Sequence, residues 1–166
     1  MVDGAVIRLL EAPLSSPDAA LLTAEVQAYY ASVYGGPDTS PIDEDEFSPP
    51  RGRFFIGYDG VGPVSMGGWR FCTEPVPIDA ERPVEVKRMY VASTARRRGL
   101  ARQMLATIES SAARCGADAV VLETGQPQSA AVAFYRACGY LDVPPFGHYA
   151  DSPVSVHLGK RLRLTS

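Results

Sequence analysis

The stretch from Val84 to Ala101, V-E-V-K-R-M-Y-V-A-S-T-A-R-R-R-G-L-A, constrains the fold more than any other. An alternating, β-branched segment over Val84 to Val91 reads as a strand. A short polar turn follows, and from Arg98 the apolar residues Leu100, Met104, Leu105, Ile108, Ala112 and Cys115 recur at helical spacing, with Gly116 ending the helix. Strand, tight turn and helix start make an anion-binding corner. The first N–H groups of a helix have no intrahelical acceptor and carry the positive end of its dipole. Gly99 and Ala101 are small enough for a phosphate to approach, and Arg96, Arg97, Arg98 and Arg102 add charged donors. Arginine at a helix N-terminus opposes the dipole, which favours an anion there, although on local sequence alone an exposed helix start explains it equally well.

Around this corner the chain reads as alternating strands and helices. Val6 to Leu10 is expected as a first strand, followed by a helix that opens near Asp18 and ends at Gly35, Gly36 and Pro37. The long loop Pro37 to Gly52 carries the acidic run Asp43 to Glu46, which reads as a solvated surface or as a lip that attracts a cationic substrate. Arg53 to Tyr58 and Val64 to Phe71 form a hairpin around Asp59-Gly60-Val61-Gly62-Pro63. Gly67 and Gly68 interrupt its second strand, the mark of a bulge or of close approach by a neighbour. Ala119 to Leu122 is a strand covered on both faces, a helix starts near Pro127, and Tyr140 to Val143 and Pro153 to Leu158 are final strands. The βαβ rhythm implies an α/β fold with a partly parallel sheet.

With 166 residues and 46% hydrophobic content, the chain is expected to form one domain over residues 1–166. A net charge of -3 argues against nucleic acid as a partner. Cys72, Cys115 and Cys138 are odd in number, far apart and without a C-x-x-C pair, so neither a disulfide framework nor a metal site is expected. No apolar run approaches the length of a membrane span, and the cytoplasm is the expected location. There is no G-x-x-x-x-G-K-[ST] and no G-x-G-x-x-G, which disfavours an NTPase and a dinucleotide-binding fold.

Arg96-x-x-Gly99-x-Ala101 resembles the pyrophosphate signature Q/R-x-x-G-x-G/A of the GNAT superfamily of acyl-CoA N-acyltransferases. The strand before it and A-x-x-F-Y-x-x-x-G-Y over Ala131 to Tyr140 extend the resemblance across about the C-terminal half. The resemblance implies a GNAT-like mixed sheet, splayed at its centre and flanked by helices. It implies acetyl-CoA as cosubstrate, with Arg97, Arg98, Gly99, Leu100 and Ala101 at the phosphates, flanked by Arg96 and Arg102. The pantetheine arm would lie along the main chain of Met89, Tyr90 and Val91, where a bulge leaves N–H groups free.

Acyl transfer to an amine needs a neutral nitrogen and a stabilised leaving thiolate. The resemblance makes Tyr135 the leaving-group acid, with an ordinary pKa near ~10 against about 8.5 for a thiol. It makes Glu85 the base, although a partner of Lys87 two residues on along the same strand is an equal reading. Glu123 is a second candidate for base or acceptor anchor, with Thr124 beside it at the carboxyl end of a strand. His148 is a third, in a loop with Phe146 and Tyr149 that also suits acceptor binding. The expected activity is direct transfer of an acetyl group from acetyl-CoA to a primary amine of a small molecule or peptide. The alternative is a catalytically weak acyl-CoA-binding regulatory domain, and an edge strand near the C-terminus could pair two copies as a homodimer.

Overall fold

The computed structural model describes residues 6–163. β1 (Arg8–Glu11) leads to α1 (Pro17–Tyr34), then β2 (Gly52–Tyr58), β3 (Pro63–Phe71), β4 (Pro83–Val91), α2 (Leu100–Arg114), β5 (Ala119–Gly125), α3 (Ser129–Ala137), β6 (Leu141–Asp142) and β7 (Ser155–Arg161). Seven strands form one sheet in the order β1-β2-β3-β4-β5-β7-β6. β4 and β5 run parallel, and the other neighbouring pairs are antiparallel. The mixed α/β fold expected from the sequence is therefore present.

Local chemistry sets the boundaries. The Ser16 hydroxyl accepts the Ala19 N–H at 3.3 Å, Pro17 occupies the first turn of α1, and Gly35 closes that helix in the left-handed conformation at φ 81°. α1 covers one face of the sheet, where Leu22, Val26, Phe54, Ile56, Met66 and Tyr90 are buried together. α2 and α3 cover the other, where Met104, Leu105, Ile108 and Tyr135 pack on Trp69, Val84, Val86 and Val120. Trp69 Nε1 donates to Ser111 Oγ at 3.0 Å and ties β3 to α2.

Some expected boundaries shift. Tyr140 to Val143 reduces to the two-residue β6, Leu141 opposite Gly159 and Asp142 opposite Leu158, while Tyr140 is buried in the core, 1% exposed. The last strand starts at Ser155 and runs on to Arg161, paired along β5. Residues of the acidic run form a 3-10 turn over Glu44–Phe47 that buries Phe47 and sends Glu46 to Arg70 at 3.3 Å.

The feature that shapes the site is an irregularity between β3 and β4. Met66 pairs with Tyr90 and Gly68 with Lys87, so Gly67 faces two residues, Arg88 and Met89. Arg88 takes a left-handed backbone at φ 58°. The extra residue reverses strand parity: Glu85 and Lys87 point to one face, and beyond the bulge that face is taken by Tyr90. A Cβ on Gly67 would lie 2.9 Å from Ile108 Cδ1, so the glycine also admits α2. β4 leaves β5 after Glu85, ahead of the bulge. Their pairing is confined to Pro83–Glu85 against Ala119–Val121, while β5 stays paired to β7 as far as Gly125. The central sheet is thus splayed.

Candidate active site

The splay opens a cavity of about 430 Å3. β4 lines it with Val86, Lys87, Arg88 and Met89, and β5 with Leu122, Glu123, Thr124 and Gly125. Ala131 and Tyr135 of α3 form one wall; Tyr30, Tyr34 and the Gly36 to Thr39 segment after α1 form the opposite one. Tyr149, Ser152 and Val154 cover the mouth.

Two loops remote in sequence are latched over that mouth. The Tyr149 hydroxyl donates to Asp38 Oδ1 at 2.7 Å and accepts the Thr39 N–H at 2.9 Å. Burial pushes the Asp38 carboxyl up, but the Ser40 N–H and the Tyr149 hydroxyl outweigh it and hold the pKa below its ordinary value. His148 is exposed; its ring stacks edge-on to Tyr149 at 4.6 Å with Nε2 3.4 Å from Thr39 Oγ1. It supports the latch outside the cavity. Phe146 is buried against His157, 5.0 Å between ring centres, and anchors the loop from beneath.

Of the two glutamates, the structure brings Glu123 into the cavity and leaves Glu85 outside its lining. Burial raises the Glu123 pKa from 4.5 to about 7; Lys87 and the Tyr149 N–H lower it, and Glu85 and Asp38 raise it further. Glu85 accepts from Arg70 Nη2 at 3.0 Å and lies 3.7 Å from Lys87 Nζ. Arg70 also reaches Glu46, which gives a carboxylate–guanidinium–carboxylate chain along one face of the sheet.

Tyr135 is 8% exposed and reaches the cavity beside Tyr140, its ring 5.7 Å away. Burial, and then Tyr30 and Cys138, push its phenol far above the ordinary value, so it remains protonated throughout the neutral range. Burial likewise pushes the Cys72 thiol up to about 12, and no metal-ligating cluster of His, Cys, Asp or Glu occurs among the described residues. Cys72 is not a thiolate nucleophile.

The turn after β4 leads into α2. Arg97 and Gly99 are left-handed, at φ 64° and 75°, and Gly99 caps α2. The first intrahelical bond is donated by Gln103 N–H to Gly99, so the N–H groups of Leu100, Ala101 and Arg102 have no helical acceptor. Such alternation of backbone hand makes a concave anion nest. Arg98 rests 3.7 Å from Asp59 across the β2–β3 turn, and Arg96 stacks over Tyr29 at 5.8 Å with Nε on the Val91 carbonyl at 3.4 Å. Arg97 and Arg102 are exposed. Met89 lines the cavity; Tyr90 turns away and donates to Glu25 at 3.2 Å, and Val91 packs beside Leu100 and Ala95. Only the main chain of Tyr90 and Val91 is left for a ligand. The free strand edge and the nest fit an extended thioester arm ending in a pyrophosphate.

Sequence reading missed Arg88, Lys87, Asp38, Tyr30 and Tyr34 as cavity residues. Only Gly67-Gly68 signalled the bulge whose extra residue, Arg88, joins the lining.

A model of the acetyltransferase (GNAT) family matches residues 19–140. The chain is 33% identical to an IAA acetyltransferase of Azospirillum brasilense over 153 residues, covering 92% of this chain and 95% of that protein. Among solved structures, a Klebsiella pneumoniae subsp. pneumoniae MGH 78578 protein assigned as an acyl-CoA N-acyltransferase superposes with a TM-score of 0.77 at 24% identity, over 95% of this chain and 99% of the other. The NatC complex bound to Gag peptide and CoA contains a chain that superposes with a TM-score of 0.67 at 16% identity, over 95% and 99%. The phosphate turn, the splayed strands and these likenesses agree: the chain belongs to the acetyltransferase (GNAT) family.

Proposed function

We propose that the protein transfers an acetyl group from acetyl-CoA to an amine by direct attack within the β4/β5 splay. The observation that carries this reading is the presence of Glu123 and Tyr135 in one cavity, reached from the free edge of β4. In the reaction the thioester carbonyl carbon gains the C–N bond and loses the C–S bond. A protein that only sensed acyl-CoA would have no need of both groups at the carbonyl.

Glu123 is the proposed base. A carboxylate with pKa about 7 accepts the amine proton far more readily than one at 4.5. Glu85 pairs with Lys87 at 3.7 Å, and Lys87 itself lines the cavity. Tyr135 holds the departing sulfur. Because its phenol lies far above a thiol, complete proton transfer to the thiolate is uphill, and the phenol acts by donating a hydrogen bond to the developing charge. Main-chain N–H groups along Met89 to Val91 orient the arm, and the nest at Arg97 to Arg102 holds the pyrophosphate. Thr124 and Tyr149 border the acceptor side.

Thiol release from acetyl-CoA across a panel of amines tests the reading. Release matched by acetylated amine supports it, and CoA binding without release for any amine favours a regulatory acyl-CoA-binding domain.

A further inference from the structure

We infer that the acceptor of this site is an amino carboxylic acid, whose carboxylate pairs with Arg88 while its nitrogen lies at Glu123. The inference rests on the acetyl-transfer reading above and names the substrate class within it.

Arg88 is the extra residue of the β4 bulge, held at φ 58° and turned into the lining of the cavity. Its Nε and Nη1 are shielded from solvent and have no hydrogen-bond partner among the described residues. Lys87 and Arg70, by contrast, are engaged: Lys87 lies 3.7 Å from Glu85, and Arg70 bonds Glu85 and Glu46. Buried guanidinium nitrogens with no acceptor are unfavourable by themselves and are retained where something anionic completes them. A planar fork of donors matches a carboxylate better than it matches a carbonyl or a hydroxyl.

The surrounding charges say where the two ends of such an acceptor go. Asp38 and Glu123 are the carboxylates of the cavity, and Asp38 is already occupied by Tyr149 and Ser40. Glu123 is therefore free to take the amine. Lys87 and Arg88 line the cavity from β4, and Glu123 lines it from β5. Anion site and base line one cavity from the two splayed strands, and an acceptor that carries both a carboxylate and a nitrogen can span them. A peptide N-terminus or a lysine side chain places no carboxylate there.

The experiment compares proteinogenic amino acids with their primary amides as acceptors, for the wild-type protein and for Arg88→Gln and Arg88→Lys. Wild type is expected to favour acids over amides by about 10- to 100-fold in kcat/KM, the value of a charge-assisted hydrogen bond. Arg88→Gln collapses that ratio through KM, and Arg88→Lys restores part of it. Calorimetry of the amino acids with CoA-loaded protein reads the same contact without turnover: binding present in wild type and lost in Arg88→Gln supports it even if no amine is acetylated, in which case the acetyl-transfer reading alone fails. A wild type that acetylates amides as well as acids, or an Arg88→Gln protein with an unchanged ratio, overturns the inference. An effect of Arg88 on acids and amides alike places it at the thioester oxygen and also overturns it.

Discussion

Arg70 donates to Glu85 at 3.0 Å, an ion pair that engages one of the two glutamates of the central strands. Both sit on central strands, but Glu85 lies before the bulge, between two cations, while Glu123 faces the opened side. Glu123→Gln is expected to lower kcat/KM by about a hundredfold. It should also remove the rise of the pH profile through about 7 that is expected of the wild type. Glu85→Gln should leave the position of that rise in place. Measuring both profiles with one acceptor checks the assignment.

The same carboxyl shapes stability. Its folded pKa of about 7 exceeds the ordinary 4.5, so between those values the native state binds more protons than the unfolded one. Stability contributed by the protonated group is complete below pH 4.5 and is lost as pH rises through about 7. Glu123→Gln should therefore have the higher Tm at pH 8 and a flatter Tm against pH. Thermal melts across that range give the comparison.

Tyr135→Phe removes one hydroxyl from the cavity wall and leaves the ring packed beside Phe134 and Tyr140. The expected result is a kcat about 10- to 100-fold lower, the loss of a hydrogen bond to a developing charge, with Tm almost unchanged. A full-rate variant at every pH would remove Tyr135 from the chemistry.

For the phosphate turn, Arg98→Ala and Gly99→Glu should weaken CoA binding in calorimetry. Gly99→Glu should weaken it more, since it adds repulsion to about 1–2 kcal/mol of strain at φ 75°. Equal affinity for all three proteins would remove the turn from the binding site.

Gly68 has no room for a side chain: a Cβ would stand 2.6 Å from Phe54 Cδ2 and 2.8 Å from the Arg53 carbonyl oxygen. Gly68→Ala should destabilise by about 1–3 kcal/mol. Because the strain falls on the α1 face, away from the nest, CoA affinity of the folded protein should be retained. Denaturant titration and calorimetry separate the two.

What could be read from the residues alone follows from how local each signal is. The stripe from Leu100 to Cys115 is one helix's own periodicity, and the structure buries Leu100, Met104, Leu105, Ile108 and Ala112, with Cys115 half-buried against the same core. Arg96 to Ala101 is likewise a local motif. The bulge depends on register between two strands, and Gly67 announces only its β3 side. Neither Lys87-Arg88 nor the choice between Glu85 and Glu123 is legible, because strand parity changes at a residue whose left-handed backbone no local pattern demands. Asp38 and Tyr149 meet across 111 positions of sequence. The acidic run gave a charge but not its destination; Glu46 lies on Arg70, away from the cavity.

The measurement that bears most directly on the central claim is thiol release from acetyl-CoA, followed together with acetylated amine, for wild type and the Glu123→Gln/Tyr135→Phe double variant. Wild type should release thiol in proportion to acetylated product, and the double variant should bind CoA normally yet turn over at close to the uncatalysed rate. A double variant as fast as wild type, or a wild type that binds CoA and acetylates no amine, would contradict the account.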